Sequence, residues 1–142
     1  MNENLDEAAR ITVVFVILYV VTFVNIAVSK KRLLRLAHQE GKVFDRYESS
    51  GMQTADRLQG NILEWSPIFL GLVWSLASTS NLSFNCVVAS WMYLVARAFY
   101  IVLVLNRGVA ADGVNSSLWI STTPAYACLL YMTQHAIRFV VL

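Results

Sequence analysis

Four apolar stretches, each about as long as a membrane-spanning helix, divide the chain at residues 8–28, 61–78, 84–105 and 118–142. A helix needs roughly 20 apolar residues to cross the hydrocarbon core of a bilayer. The first stretch is rich in Val, Ile and Phe, which favour strands in water, but an isolated strand cannot satisfy its backbone hydrogen bonds in lipid. The pattern therefore predicts an all-α, integral-membrane four-helix bundle, formed as one domain over residues 1–142.

The low content of charged residues supports the same prediction. Only 14% of the 142 residues are charged, whereas soluble domains have about 25%, so we expect much of the surface to contact the lipid bilayer. The net charge of +2 argues against a nucleic-acid partner. Cys86 and Cys128 lie inside apolar stretches and are expected to be buried small hydrophobes, and no metal-ligand spacing is present.

The distribution of basic residues predicts the orientation in the membrane. The polar segment 29–60 carries seven of the eleven basic residues: Lys30, Lys31, Arg32, Arg35, Lys42, Arg46 and Arg57. The positive-inside rule places this first loop and the third loop in the cytosol and both termini on the other side. A eukaryotic multi-pass protein of this kind would lie in the endoplasmic reticulum or an organelle membrane. The acidic leader does not suit a cleaved signal peptide.

The basic run and the glycines of the first loop allow more specific predictions of its structure. The basic run 30–35 is expected to extend the first helix beyond the membrane, towards anionic head groups. Gly41 and Gly51 are expected to be breaks in the helical structure.

Ionisable residues occur where a membrane helix should be apolar. Arg57, Asn61 and Glu64 follow one another at i, i+4 and i+7, so they share one face of the second helix. Tyr93, Arg97 and Tyr100 form a similar stripe on the third helix. A charge inside a membrane costs about 2.5–3.5 kcal/mol on insertion scales, so function is the default explanation.

Three interpretations of these residues remain open. Glu64 and Arg97 could form a buried ion pair that serves packing alone. They could instead line a pocket for a small anionic or zwitterionic ligand, because arginines bind carboxylates through bidentate hydrogen bonds and a glutamate accepts from an ammonium group. A proton or ion pathway is less favoured, since no chain of ionisable residues crosses the predicted bundle.

The segment RLQGNILEWSPIFL resembles the signature of the MAPEG family, the membrane-associated proteins of eicosanoid and glutathione metabolism. The matching positions are Arg57, Gln59, Asn61, Glu64, Pro67, Phe69 and Leu70. The segment ARAFY, residues 96–100, resembles a second family motif on the third helix. The length, the four stretches and the basic first loop agree with this resemblance.

The resemblance implies a homotrimer that binds glutathione as a co-substrate between neighbouring protomers, near the cytosolic face. It implies that the glutathione site contains Arg57, Gln59, Asn61, Glu64 and Trp65 from the second helix, Arg97 and Tyr100 from the third, and Arg32 or Arg35 from the first. Arg107 is the candidate for the catalytic residue that activates the thiol. The implied activity is conjugation or reduction of lipophilic electrophiles, as in glutathione S-transferases and peroxidases.

Two departures from the family pattern keep a non-catalytic alternative open. Trp65 stands where several relatives have Tyr, and Val104 and Leu105 stand where relatives often have a Gly-Tyr pair. An indole cannot replace a phenol as an acid. The alternative is a non-catalytic relative that binds lipid or acts as a scaffold in a membrane complex.

Overall fold

The computed structural model describes residues 3–41, 43–45, 47–108 and 116–141, which form an all-α fold. The helices are α1 (Glu3–Gln39), α2 (Ser50–Ser78), α3 (Phe84–Arg107) and α4 (Ser116–Ala136), and a short π-helical segment, Ile137–Val141, continues α4. The four predicted stretches therefore all fall on helices. Lys42, Arg46 and Asp112, which belong to the first and third loops, lie outside the described residues.

Side-chain caps and glycines set several helix ends. Ser49 and Ser83 precede α2 and α3, and each side chain accepts a hydrogen bond from the backbone three residues later, which satisfies one orphan N–H of the first turn. Gly41 follows α1 and Gly108 follows α3, and both have a positive φ (64° and 69°), a conformation that glycine adopts at little cost. The prediction of a break at Gly41 is thus confirmed.

Both α1 and α2 extend beyond their apolar stretches towards the basic loop. The basic run 30–35 is helical, as predicted. The prediction of a break at Gly51 is wrong, because α2 already begins at Ser50. A Cβ atom on Gly51 would lie 3.1 Å from the Leu33 side chain, so this glycine permits close contact between α1 and α2 inside a helix.

The helices pack around an aromatic centre, with α1 lying along α2 and α3 along α4. Phe69 stacks on Tyr93 with ring centroids 4.2 Å apart, and Phe15 lies 5.7 Å from Phe69. Towards the basic loop, a second buried cluster contains Ile26, Ala55, Leu58, Tyr100, Ile101 and Val104. Stacked rings and filled aliphatic contacts of this kind supply most of the favourable packing energy in a helical bundle.

The opposite end of the bundle is held by polar contacts between distant parts of the chain. The Trp91 indole donates to Glu7 Oε1 at 3.0 Å, which ties α3 to the start of α1. Asn81 Nδ2 donates to the Phe139 carbonyl at 3.1 Å. Cys86 and Cys128 are free thiols in the buried core, as predicted.

The outer surface of the bundle is strongly apolar. Val13, Ile17, Val21 and Val28 of α1 are each more than half exposed, and contiguous apolar surface of this extent is unusual on soluble monomers. Among the described residues, α1 and α3 are long and apolar enough to cross a membrane by length and composition. α2, which carries the candidate site, is not among these two helices.

Candidate functional site

Arg97 is the buried charge at the centre of the candidate site. It is only 7% exposed, and its Nη1 atom donates to Asn61 Oδ1 at 2.8 Å. A guanidinium group can only donate hydrogen bonds, so Asn61 must turn its oxygen towards Arg97. This contact fixes the orientation of the amide and leaves its Nδ2 group as the donor for another partner.

Two aromatic rings complete the surroundings of Arg97. Its guanidinium carbon lies 5.1 Å from the centre of the Tyr93 ring and 5.8 Å from that of Tyr126. The negative face of an aromatic ring attracts a cation at such distances. The Nε and Nη2 atoms of Arg97 are buried and have no hydrogen-bond partner in the structure. A buried cation with two unused donors is a binding element for an acceptor.

The ion pair between Glu64 and Arg97, one of the three interpretations of these residues, is absent from the described part of the chain, so that interpretation is wrong. Glu64 is exposed, and no ion pair within the described part of the chain includes it. Glu64 follows Asn61 by three residues, which turns it about 60° around the helix axis from the side that faces α3. Asn61, and not Glu64, forms the contact with Arg97.

Arg57 and Glu64 instead form an outward stripe on α2. Both side chains are exposed, and their spacing of seven residues places them about 20° and 10 Å apart on the helix surface. Asn61 is half-buried and lies between them along the helix, at the inner edge of the stripe. The carboxylate of Glu64, the guanidinium of Arg57 and the amide of Asn61 thus belong to residues within about 10 Å along the helix, which is about the length of a small peptide.

Gln59 is held by residues that sequence reasoning did not assign to the site. Lys30 Nζ, on α1, donates to Gln59 Oε1 at 2.7 Å and forms an ion pair with Asp56 Oδ1 at 2.7 Å. The spacing of Asp56 and Gln59 on one helix face is a signal that could have indicated this contact. The Gln59 oxygen therefore ties α1 to α2.

A small inner cavity adjoins the buried Arg97. Its lining includes Asn61 and Trp65 from α2 and Tyr93, Arg97 and Tyr100 from α3, and its volume is about 20 Å³. That volume holds about one water molecule, far less than the 300–1,000 Å³ typical of sites for small organic ligands. The Trp65 ring lies 4.8 Å from that of Tyr126, so Trp65 supports the second ring beside Arg97.

Arg32 and Arg107 line the same cavity at the basic-loop end of the bundle. This loop-side cavity is separate from the inner cavity and larger than it. This cavity has a volume of about 640 Å³ and lies between α1, α2 and α3. Arg107 lies about 15 Å along α3 from Arg97, given the rise of 1.5 Å per residue. Arg35 is exposed. Apart from Gln59, which binds Lys30, and the exposed Arg35, the predicted site residues therefore fall into three places: the outward stripe, the inner cavity and this loop-side cavity.

The described residues contain no group of three or more His, Cys, Asp or Glu side chains that could hold a metal ion. The polar groups of the outward stripe instead suit an organic ligand with both acidic and basic parts. Arg57 and Glu64 could bind such a ligand through charge-assisted hydrogen bonds.

Comparison with known proteins identifies the family. The sequence model of the MAPEG family matches residues 8–136, nearly the whole chain. No curated protein and no solved structure matches the chain. The MAPEG fold is a membrane four-helix bundle, in agreement with the four helices and the apolar outer surface. The chain therefore belongs to the MAPEG family, the membrane-associated proteins of eicosanoid and glutathione metabolism, and is an integral-membrane protein.

Proposed function

We propose that this protein binds glutathione along the outward stripe of α2 and uses its thiolate to conjugate or reduce lipophilic electrophiles. The observation that carries the proposal is the contact between the buried Arg97 and Asn61. Arg97 is not neutralised by Glu64, and it fixes the Asn61 amide beside two exposed groups of opposite charge. Family membership supports a role in glutathione metabolism.

The groups of glutathione match those of the stripe. Glutathione has two carboxylates, one ammonium group and two amides. Arg57 can bind a carboxylate through a bidentate hydrogen bond, and Glu64 can accept from the ammonium group. Asn61 Nδ2 can donate to an amide carbonyl. Arg97 and Tyr100 act from behind as positioning residues, since both are buried.

The location of the stripe favours a site that a second protomer completes. The inner cavity is too small for a tripeptide, and Arg57 and Glu64 lie on the surface of the single chain. A neighbouring protomer of a homotrimer would cover the stripe and exclude water, which strengthens electrostatic contacts. Arg35 is the exposed α1 residue best suited to approach a neighbour's stripe, because Arg32 lines a cavity of its own chain.

The reaction requires no covalent bond to the protein. A nearby cation lowers the pKa of a thiol, and the thiolate is the reactive form. In conjugation of an aryl halide, the sulfur forms a bond to the ring carbon and the halide leaves with the bonding electrons. In peroxide reduction, two thiols become a disulfide while the hydroperoxide becomes an alcohol and water. Positioning of the two substrates supplies much of the rate.

Arg107 remains the candidate for the residue that activates the thiol. Because it lies about 15 Å along α3 from Arg97, glutathione would have to extend from the stripe towards the loop-side cavity to reach it. An extended tripeptide spans about 10 Å, which is about the length of the stripe itself, so the long Arg107 side chain would have to reach back along α3 towards the stripe.

The proposed topology has all four helices crossing the bilayer. The basic first loop and the third loop would face the cytosol under the positive-inside rule, in the endoplasmic reticulum or an organelle membrane if the cell is eukaryotic. Glutathione would then enter from the cytosol, and the lipophilic substrate would enter sideways from the bilayer.

One observation favours a non-catalytic protein that binds lipid or acts as a scaffold. Val104 and Leu105 stand where relatives often carry a Gly-Tyr pair; Val104 is fully buried in the cluster that contains Leu58, and Leu105 is an exposed aliphatic side chain. No hydroxyl group is therefore available at either position to contact a thiolate. Binding of glutathione without turnover would assign the protein to this alternative.

Calorimetry of the purified protein with glutathione, followed by a conjugation assay with a generic aryl halide, tests the proposal. We expect saturable binding and a conjugation rate above that of the uncatalysed reaction, with a loss of rate in Arg107→Ala at nearly unchanged glutathione affinity. Absence of glutathione binding would contradict the proposal and, with it, the assignment of the outward stripe as a glutathione site.

A further inference from the structure

The loop-side cavity is a second candidate binding site, distinct from the outward stripe. Its floor is formed by Ile26, Leu58 and Val104, which belong to the buried cluster that also contains Tyr100 and lies between this cavity and the inner one. Its volume of about 640 Å³ lies within the usual range for small-molecule sites. The cavity is therefore large enough for an organic ligand and is closed at its base.

The charges around this cavity have one sign. Arg32 lines it from α1 and Arg107 from α3, and none of the described residues that line the cavity is acidic. Within the described part of the chain, neither guanidinium has an ion-pair partner. Two cations without an ion-pair partner in one cavity attract an anion.

The start of α2 adds to this positive field. Ser50 and Gly51, its first two residues, line the cavity. The first N–H groups of a helix have no acceptor within the helix and carry a partial positive charge. The first turn of α2 contains no acidic residue that would offset this charge.

The rest of the lining combines the hydroxyl groups of Ser29 and Thr54 with an apolar part, in which Leu33, Leu36 and Leu105 lie beside the arginines. The ligand should therefore be an amphiphile with an anionic group at one end. A phosphate monoester carries a charge close to −2 at neutral pH, which balances two guanidinium groups. Arginine binds phosphate oxygens in pairs, and basic pockets between membrane helices on the cytoplasmic side bind phospholipid head groups.

We propose that the loop-side cavity binds the phosphate group of an anionic phospholipid, held between Arg32 and Arg107, with part of the lipid's apolar body against the leucines. The proposal does not depend on glutathione chemistry. It assigns the two arginines to a site that a single chain forms by itself.

Native mass spectrometry of the detergent-solubilised protein can test this proposal, with phosphatidic acid as the probe and phosphatidylcholine as the matched lipid. We expect the protein to bind phosphatidic acid at least about tenfold more tightly, a difference of roughly 1.4 kcal/mol. The double variant Arg32→Gln/Arg107→Gln should lose this preference. The double variant Lys31→Gln/Arg35→Gln removes the same charge from residues outside the cavity and should keep it.

Each other outcome has a definite meaning. Equal loss of the preference in both double variants, at unchanged helix content by circular dichroism, would indicate diffuse surface attraction and overturn the proposal. Because the proposed function brings the glutathione thiol to Arg107, glutathione and the lipid phosphate should compete for this guanidinium, and displacement of the lipid by glutathione would agree with both proposals. Displacement by excess inorganic phosphate would support phosphate recognition but assign the ligand to soluble phosphate esters in place of lipids.

Discussion

At the scale of single residues, Arg97 is stabilised in the bundle by an amide and two aromatic rings. The sequence predicted that this arginine is buried and needs a partner, because its position in the third apolar stretch is unambiguous. It could not identify the partner. Glu64 and Asn61 are one helical turn apart on α2, and which of them faces α3 depends on the rotation of α2 in the packed bundle.

The contribution of the Tyr126 ring can be measured with a double-mutant cycle. Tyr126→Leu removes the ring whose centre lies 5.8 Å from the Arg97 guanidinium, whereas Tyr126→Phe keeps a ring. We expect Tyr126→Leu to destabilise the protein more in the wild-type background than in Arg97→Met, with a coupling energy of about 0.5–1 kcal/mol. The free energy of unfolding in detergent gives the values for all variants.

Tyr126→Phe serves as the matched control in this cycle and should retain most of the coupling. A coupling energy indistinguishable from zero would mean that the ring near Arg97 serves packing alone.

At the scale of helices, the apolar stretches predicted the existence and order of all four elements. Their ends were harder to place, because α1 and α2 continue as polar helix towards the basic loop. The stretch beginning at residue 61 misses the part of α2 that carries Arg57. Contacts between helices could not be derived from the sequence either, because the ion pair between Lys30 and Asp56 depends on how α1 and α2 pack.

Lys30→Met tests whether this contact holds the ends of α1 and α2 together. The substitution removes the ion pair to Asp56 and the hydrogen bond to Gln59. A partly exposed contact of this kind contributes about 0.2–1 kcal/mol, so amide hydrogen exchange in residues 30–39 and 50–59 should become roughly two- to fivefold faster.

Lys31→Met is the control for this experiment, because Lys31 is the exposed neighbour of Lys30 and carries the same charge. Equal acceleration of exchange by both substitutions would show that loss of charge, and not the specific contact, is responsible.

At the scale of the whole molecule, the proposed site lies on the outer surface of one chain, which is the arrangement expected if a neighbouring protomer completes it. The family resemblance predicted a homotrimer with shared sites, and the exposure of Arg57, Glu64 and Arg35 agrees with such an arrangement. That Arg32 and Arg107 line one cavity could not be predicted, because the two residues belong to helices that are far apart in sequence.

Co-expression of two inactive variants tests whether neighbouring protomers share a site. In a random mixture of Arg35→Ala and Arg57→Ala chains, about one interface in four would combine an intact Arg35 with an intact Arg57. We therefore expect roughly a quarter of the wild-type conjugation rate. A mixture of Arg57→Ala and Glu64→Ala chains should remain inactive, because both residues belong to the same stripe. If the first mixture were also inactive, the site would lie within a single chain.

Isothermal titration calorimetry with glutathione on three proteins, the wild type, Arg57→Ala and Glu64→Ala, tests the central claim most directly. Loss of either charged group of the stripe should weaken glutathione binding at least about tenfold, or roughly 1.4 kcal/mol, because each removes a charge-assisted hydrogen bond. Unchanged affinity in both variants would contradict the assignment of the outward stripe as the glutathione site.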